Sequence, residues 1–182
     1  MDTRILYQLA IFLILNILFT IHGAKRNVVI DFTKVEIGNR LPNIIAMYSW
    51  INRTSSNISA LYMNYSFSED VYNLKGTFNL SVKHSEKFIN YFTLDFDYCK
   101  GREMLYSQYV AQILEKQLRT VSNYPLDCPL KKNYEYYVKG FTIDPNLIPI
   151  YLPNLHFLSN LTIFRNLQSC ASIIVTGYLR NK

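Results

Sequence analysis

The chain has 182 residues and a net charge of +6 at neutral pH. A length of this order fits one domain with a full hydrophobic core, and no linker or repeat divides the sequence. If the protein is secreted, its modest positive charge favours anionic lipid, glycan or membrane surfaces over nucleic acid as binding partners. A solvated surface without a charged partner explains the charge equally well.

The N-terminal segment is a predicted signal peptide. Met1 to Arg4 forms a short basic start, and Ile5 to Ile21 is almost wholly apolar before the small residues around Gly23. This apolar run is short for a bilayer span of about 20 residues, so we expect cleavage near Gly23 rather than an uncleaved anchor. Residues 1–23 are then the signal peptide, and residues 24–182 form a single domain.

Five Asn-x-Ser/Thr sequons follow this segment, at Asn52, Asn57, Asn64, Asn79 and Asn160. A sequon is glycosylated only in the secretory pathway. Together with the signal segment, the five sequons predict a secreted, extracellular glycoprotein.

Eight short segments are predicted strands. Apolar residues at positions 78, 80 and 82 alternate with polar residues at 77, 79, 81 and 83, which is the period of a strand with one buried face. Positions 61, 63, 65 and 67 alternate with positions 64 and 66 in the same way, so Asn64 and Asn79 are both predicted to face solvent. The other predicted strands cover residues 28–37, 44–51, 88–98, 134–143, 160–164 and 171–179.

One amphipathic helix is predicted between the fifth and sixth strands. Apolar residues recur at spacings of three and four from Leu105 to Val121, as in a helix with one buried face. The helix is predicted from about Arg102 to Val121, where it would cover one edge or end of a sheet. Eight strands and one inserted helix predict a mainly β, antiparallel sandwich rather than alternating βαβ units.

The chain has three cysteines, two of which bracket this helix. In an oxidising compartment we favour a disulfide between Cys99 and Cys128, which would close a loop of about 30 residues and contribute roughly 3 to 4 kcal/mol. For Cys170 a buried free thiol is our first interpretation. A bond to another molecule, or displacement of one of the other two cysteines, is the alternative.

Aromatic residues are abundant, with eleven Phe and fifteen Tyr. This is more aromatic surface than packing alone requires, and a tyrosine can line a cavity because its ring is apolar and its hydroxyl can reach a ligand. The alternative is that these rings fill the core and cover the surface.

Five blocks of the sequence fall in the order seen in one insect family, namely residues 28–36, 73–82, 94–99, 123–130 and 147–153. The most specific part is a D-x-C block at Asp97 to Cys99, then the helix, then an N-x-P-x-x-C-P block at Asn123 to Pro129. The chain resembles the insect family of uncharacterised secreted proteins related to CheB chemosensory proteins and, more distantly, the ML lipid-recognition superfamily. Related chains often carry a further cysteine in the first or second strand, which this chain lacks.

The resemblance implies an immunoglobulin-like β-sandwich that admits a lipid or other small hydrophobic ligand between its sheets, with a possible role in chemosensation or lipid transfer and a membrane surface or receptor as possible partner. Such pockets are mostly apolar. The residues expected to line it are Phe78, Leu80, Val82, Phe92, Leu94, Phe96, Tyr136, Val138, Phe141 and Ile143. The residues expected at its mouth are Leu147, Ile148, Ile150 and Leu152.

Polar side chains near this cleft are few. Lys131, Lys132 and Lys139 are the candidates to meet an acidic head group, and solvated surface positions are the alternative. For the apolar lining residues, the alternative is a role in core packing only. A secreted interaction module with a packed core and no ligand is therefore the second functional hypothesis.

Catalysis is not expected. Asp95 and Asp97 lie two apart on one strand face, as paired carboxylates for acid–base chemistry would, but we expect them to face outward or to cap the following turn. His84 and His156 lack the sequence context of a catalytic triad or a metal site. No metal or cofactor is predicted.

Overall fold

The computed structural model describes residues 28–38, 41, 44–53, 58–100, 109–125, 128–148, 152–166 and 168–181. The predicted signal peptide, the sequon at Asn57 and the predicted mouth residue Ile150 lie outside these residues. Within the described part of the chain, no helix is long and apolar enough to span a bilayer.

The described residues include eight strands and one α-helix. The strands are β1 (Val28–Gly38), β2 (Ile45–Arg53), β3 (Ser59–Phe67), β4 (Leu74–His84), β5 (Lys87–Asp97), β6 (Tyr136–Phe141), β7 (Leu155–Arg165) and β8 (Gln168–Asn181). The helix, α1 (Tyr109–Val121), lies between β5 and β6. Every predicted strand is present. The predicted helix is confirmed from Tyr109 onward, and residues 101–108 lie outside the described ranges.

The strands form two antiparallel sheets. Sheet 1 has the order β1-β8-β7-β4-β5, and sheet 2 has the order β2-β3-β6. The predicted antiparallel, immunoglobulin-like sandwich with one inserted helix is confirmed. β7 begins five residues before its predicted start, at Leu155, because Leu155 and His156 already pair with β8, and pairing with β4 starts at Phe157.

The core lies between the sheets and is densest at β1, β8 and β6. Phe32 of β1 stacks on Phe141 of β6 at a centroid distance of 6.1 Å and meets Phe157 of β7 edge to face at 6.2 Å. Aromatic pairs of this geometry contribute beyond the area that they bury. These three rings join both sheets in one packed interior.

Polar contacts close the β1 edge of the sandwich. Asp31 is only 4% exposed, and its Oδ2 accepts from Arg53 of β2 at 3.2 Å and from Arg180 of β8 at 3.5 Å. The backbone N–H of Phe32 donates to the Ser59 hydroxyl of β3. Both contacts with sheet 2 start from β1, which holds this edge together.

A disulfide closes the opposite edge. Cys99 and Cys128 are bonded, as predicted, with their Cα atoms 5.4 Å apart. Asp97 accepts at Oδ1 from the backbone N–H groups of Cys99 at 3.2 Å and Lys100 at 3.1 Å, which fixes the turn after β5. The helix side chains that pack against the core are Leu114, Leu118 and Val121.

Cys170 of β8 is buried and free, which confirms the first interpretation of this residue. Its exposed fraction is 0%, and its thiol donates to the carbonyl oxygen of Ile163 at 3.4 Å. It therefore serves as a small core side chain.

Gly177 of β8 provides a test of this packing. A β-carbon at this position would overlap the carbonyl oxygen of Asp31 and the ring of Phe157. We expect Gly177→Ala to lower the free energy of unfolding by about 2 kcal/mol, because a packed core has no room for the added methyl group. Urea denaturation measures this loss. Thr176→Ala on the outer face is the control, and an equal loss in both variants would contradict the packing argument.

Candidate functional site

The inner face of β4 and β5 carries six of the ten predicted lining residues. The strand register pairs Phe78 with Leu94 and Leu80 with Phe92, so these side chains share one face of sheet 1. Leu94 is buried, whereas the other five are half-buried. The half-buried five, called the apolar face below, are Phe78, Leu80, Val82, Phe92 and Phe96.

Two aromatic contacts organise the apolar face. Phe78 and Phe92 meet edge to face with centroids 6.4 Å apart. Phe96 lies over Gly76, where its ring occupies the space that a β-carbon would need. The absence of a side chain at Gly76 therefore leaves the space that the Phe96 ring occupies.

The lining residues of β6 have a different environment. Tyr136, Val138 and Phe141 are buried and form part of the core, and Ile143 packs against it. Gly140 has a φ of 78° and lies at a register shift, so Val138 and Phe141 both point inward although their spacing is odd. The predicted lining thus divides into a packed β6 side and a half-exposed β4–β5 side.

The predicted mouth lies beside β1. Leu147 ends a 3-10 turn, Pro145–Leu147, that contacts β1, and Asp144 caps this turn by accepting from the backbone N–H of Asn146 at 2.9 Å. Ile148 and Leu152 are half-buried against the core. The loop is therefore near the sheet edge opposite β5, away from the apolar face.

A cluster of four tyrosines lies at the disulfide end of the sandwich, namely Tyr65, Tyr98, Tyr124 and Tyr136. The ring of Tyr65 stacks on Tyr136 at 5.4 Å and lies 5.9 Å from Tyr124. The hydroxyl of Tyr98 donates to the carbonyl oxygen of Pro125, and that of Tyr136 accepts from the backbone N–H of Lys131 at 2.6 Å. This tyrosine cluster begins one residue after β5 and so continues the apolar face along the chain.

Burial shifts the pKa of two of these phenols. It raises the pKa of Tyr65 well above its usual value and that of Tyr124 to about 12. Their hydrogen bond raises the pKa of Tyr65 further but opposes the rise at Tyr124.

A pocket of about 340 Å³ opens beside the tyrosine cluster. Its walls include the half-exposed ring of Tyr134, whose centroid lies 4.8 Å from that of Tyr136, and the exposed Lys131. The remaining lining residues are Asn123, Pro125, Cys128 and Pro129. Its volume is near the lower end of the range for ligand pockets, about 300 to 1,000 Å³.

The charged residues singled out in the sequence lie in different parts of the structure. Of the three lysines, only Lys131 lines this pocket, whereas Lys139 lies over the ring of Tyr137 at 4.0 Å on the outer face of sheet 2. Asp95 accepts from the Thr77 hydroxyl at 2.6 Å on the outer face of sheet 1, and Asp97 caps the turn after β5. Both carboxylates thus behave as expected for structural residues. No group of three His, Cys, Asp or Glu in the described ranges is placed to hold a metal ion.

The sequons in the described strands lie on outer faces. Asn52 is exposed and Asn64 is half-buried on sheet 2, while Asn79 and Asn160 pair with each other across β4 and β7 of sheet 1. The predicted outward orientation of Asn64 and Asn79 is confirmed. Whether any of these residues carries a glycan stays a prediction.

Comparison with known proteins gives one family model, described as a protein of unknown function (DUF1091), which matches residues 76–159. No curated protein sequence matches the chain significantly. The chain is similar to chicken MD-1 complexed with lipid IVa, with 14% identity over 86% of this chain and 99% of that one and a TM-score of 0.39. It is also similar to a Niemann-Pick type C2 protein from the Japanese carpenter ant, with 15% identity over 87% of this chain and 95% of that one and a TM-score of 0.30.

The matched range runs from β4 into β7 and so includes the apolar face, the disulfide segment and β6. Structural likeness at these TM-scores does not bear on ligand or activity. The relation to CheB chemosensory proteins stays a prediction.

The sequence predicts an inward position for two of the four clustered tyrosines, Tyr65 and Tyr136, but not for Tyr98 and Tyr124. Tyr65 was placed correctly on the inward side of its strand by its alternation with Asn64. Tyr124 lies in a loop with no periodic pattern, so nothing in the sequence indicated its contact with Tyr65. The N-x-P-x-x-C-P block was the available signal, because it places Tyr124 directly after Asn123, whose Oδ1 accepts from the backbone N–H of Tyr137 at 2.7 Å.

The raised pKa of Tyr124 predicts a loss of stability in base. Below pH 10 the phenol is protonated in both states and its full contribution is present. Between pH 10 and about 12 the unfolded chain loses this proton first, so the free energy of unfolding falls by about 1.4 kcal/mol per pH unit from this residue. We expect the free energy of unfolding of Tyr124→Phe, measured by urea denaturation, to fall less steeply with pH than that of the wild type. Tyr72→Phe, with its ring 70% exposed, is the control, and parallel curves for all three proteins would refute the assignment.

Proposed function

We propose that this protein is a secreted glycoprotein that binds a lipid or another small hydrophobic ligand between its two sheets. The apolar face is the observation that carries the proposal. On the inner faces of β1, β6 and β8, Phe32, Val138 and Val175 are 4%, 1% and 6% exposed, whereas the five residues of the apolar face remain half-buried. Apolar surface left in contact with water forgoes about 25 cal/mol per Å², so a guest that covers it gains that free energy.

The tyrosine cluster and its pocket suit the polar end of such a ligand. Their phenols are neutral at physiological pH and can exchange hydrogen bonds, and Lys131 at the pocket supplies a positive charge. An elongated ligand with its chain on the apolar face and an acidic or hydroxylated group towards Lys131 would use both features. Binding would then combine a large apolar contribution with a few orienting contacts.

The proposed compartment follows from three features of the chain. The intramolecular disulfide fits an oxidising environment, where such bonds persist. The predicted signal peptide and the sequons agree with it. Transfer of lipid to a membrane surface or a receptor, or carriage of a chemosensory ligand, is the role that the sequence resemblance suggests.

A secreted interaction module without ligand is the second candidate. The observation that favours it is the complete burial of Tyr136, Val138 and Phe141, which fill the β6 side of the predicted cleft with core side chains. In that case the half-exposed residues of β4 and β5 would contact a protein partner.

Two neighbouring substitutions on β4 distinguish these candidates. Val82 points to the inner face and Lys83 to the outer face. We expect Val82→Trp to weaken binding of a fluorescent fatty acid by about ten-fold, or ~1.4 kcal/mol, because the indole occupies ligand space. Lys83→Trp should bind like the wild type. Titration of delipidated, secreted protein measures both, and unchanged binding in Val82→Trp would place the fatty acid elsewhere.

Ligand chain length gives an independent test. Each methylene buried on the apolar face contributes about 0.8 kcal/mol, so affinity should rise about four-fold per carbon through a series of saturated fatty acids until the cleft is full. Competition with the fluorescent probe measures the series. Mass spectrometry of the secreted protein should also find a stoichiometric co-purified lipid. A flat series together with no extracted lipid would eliminate the carrier and leave the interaction module.

A further inference from the structure

The outer face of sheet 2 carries exposed aromatic rings. Tyr48 is 66% exposed and Trp50 is 44% exposed, although Trp50 stacks on Tyr62 with centroids 5.4 Å apart and ring planes within 11°. Tyr48 and Trp50 alternate along β2, and Tyr62 is the direct partner of Trp50 on β3. These three residues, called the aromatic platform below, point away from the proposed ligand cleft.

The sequon at Asn52 lies on the same face, two residues beyond Trp50. At a strand rise of about 3.3 Å per residue, the two Cα atoms are roughly 7 Å apart, and successive residues on one face point the same way. The Asn52 side chain is exposed, and its Oδ1 accepts from the backbone N–H of Arg53 at 2.9 Å. That contact uses one end of the carboxamide and leaves Nδ2, the atom that carries an N-glycan, as the other end.

Asn64 is the second sequon on this face, but its side chain is more tightly enclosed by its neighbours. Its Nδ2 donates to Glu135 at 2.7 Å, and its Oδ1 is buried. It lies between Tyr48 on β2 and Tyr137 on β6. A glycan on Asn52 therefore has freer access to Trp50 than one on Asn64.

We propose that the N-glycan of Asn52 folds back over the aromatic platform and covers the exposed face of Trp50. One side of an N-acetylglucosamine ring is a surface of C–H groups, which carry slight positive charge, and the face of an aromatic ring is negative. Contact between the two removes apolar area from water on both partners. The occupant of this sheet face is thus the protein's own carbohydrate.

Covalent attachment favours this occupant over a separate partner. A group tethered next to its binding surface has a millimolar or higher effective concentration, so even a weak contact is populated. A protein that docked on the platform would have to displace the Asn52 glycan and pass any glycan on Asn64. The platform is consequently a shielded surface, and contacts with membranes or receptors fall to other faces of the molecule.

The chain reports on this contact through its fluorescence, since Trp50 is its only tryptophan. Secreted protein from insect cells is first mapped by glycopeptide mass spectrometry for occupancy at Asn52. Acrylamide quenching of Trp50 is then compared between Thr54→Ala, which removes the sequon, and Thr54→Ser, which keeps it. We expect the quenching constant of Thr54→Ala to rise about two-fold, because Tyr62 already covers one face of the Trp50 ring and the sugar shields the other. Thr54→Ser should match the wild type.

Further variants locate the effect. Asn52→Gln should reproduce the rise seen in Thr54→Ala, whereas Ser81→Ala, which removes the sequon of Asn79 on sheet 1, should leave quenching unchanged. Far-UV circular dichroism confirms that each variant is folded. Where an unglycosylated variant is not secreted, wild-type protein is measured before and after native enzymatic deglycosylation.

Three outcomes would overturn the inference. The first is an unoccupied Asn52 in the wild type, and the second is equal quenching in Thr54→Ala and Thr54→Ser. The third is a quenching constant that rises in Ser66→Ala, which removes the sequon of Asn64, but not in Thr54→Ala. None of these outcomes depends on lipid binding, so the glycan contact and the proposed carrier function are tested separately.

Discussion

The bond between Cys99 and Cys128 is the constraint on which the β5–β6 edge depends. It joins the end of β5 in sheet 1 to a segment that pairs with the connection before β4, where Val71 and Leu130 exchange backbone hydrogen bonds at 2.8 and 2.9 Å. Closing a loop of this length contributes about 3 to 4 kcal/mol through the unfolded chain. The contacts of Tyr98 with Pro125 and of Tyr136 with Lys131 lie on either side of this bond, so it also assembles the tyrosine cluster.

The two edges of the sandwich are closed in different ways, and this difference divides the interior. At β1 a buried carboxylate, two arginines and stacked phenylalanines join the sheets directly. At β5 the connection runs through the disulfide and the helix rather than through strand contacts. The β1 side therefore contains a packed core, whereas the apolar face stays half-buried. Under the proposed function, folding and ligand binding would use separate parts of the same interior.

Regular alternation explains how much of the fold could be predicted. The strands containing Phe78 and Tyr65 have one apolar and one polar face, so their existence and orientation followed from the sequence. The register shift at Gly140 has no periodic signal, although the predicted lining residues Val138 and Phe141 both point inward as expected. Lys139, expected near a head group, lies on the outer face because it alternates with the inward-pointing Val138. Leu147 lies beside β1 and Tyr124 lies against Tyr65 because of tertiary contacts made by loops. Loop sequences have no hydrophobic periodicity from which such contacts could be predicted.

The abundance of tyrosine has more than one cause in this structure. Tyr48, Tyr72, Tyr91 and Tyr134 are at least half exposed, whereas Tyr65 and Tyr124 lie in a cluster where burial raises their pKa values. Aromatic content alone therefore does not indicate a cavity, because much of it lies on the outside. What distinguishes the apolar face is location: Phe78, Phe92 and Phe96 point between the sheets yet stay half-buried. Exposure on an inner face, rather than aromatic abundance, is the observation that supports the proposed ligand.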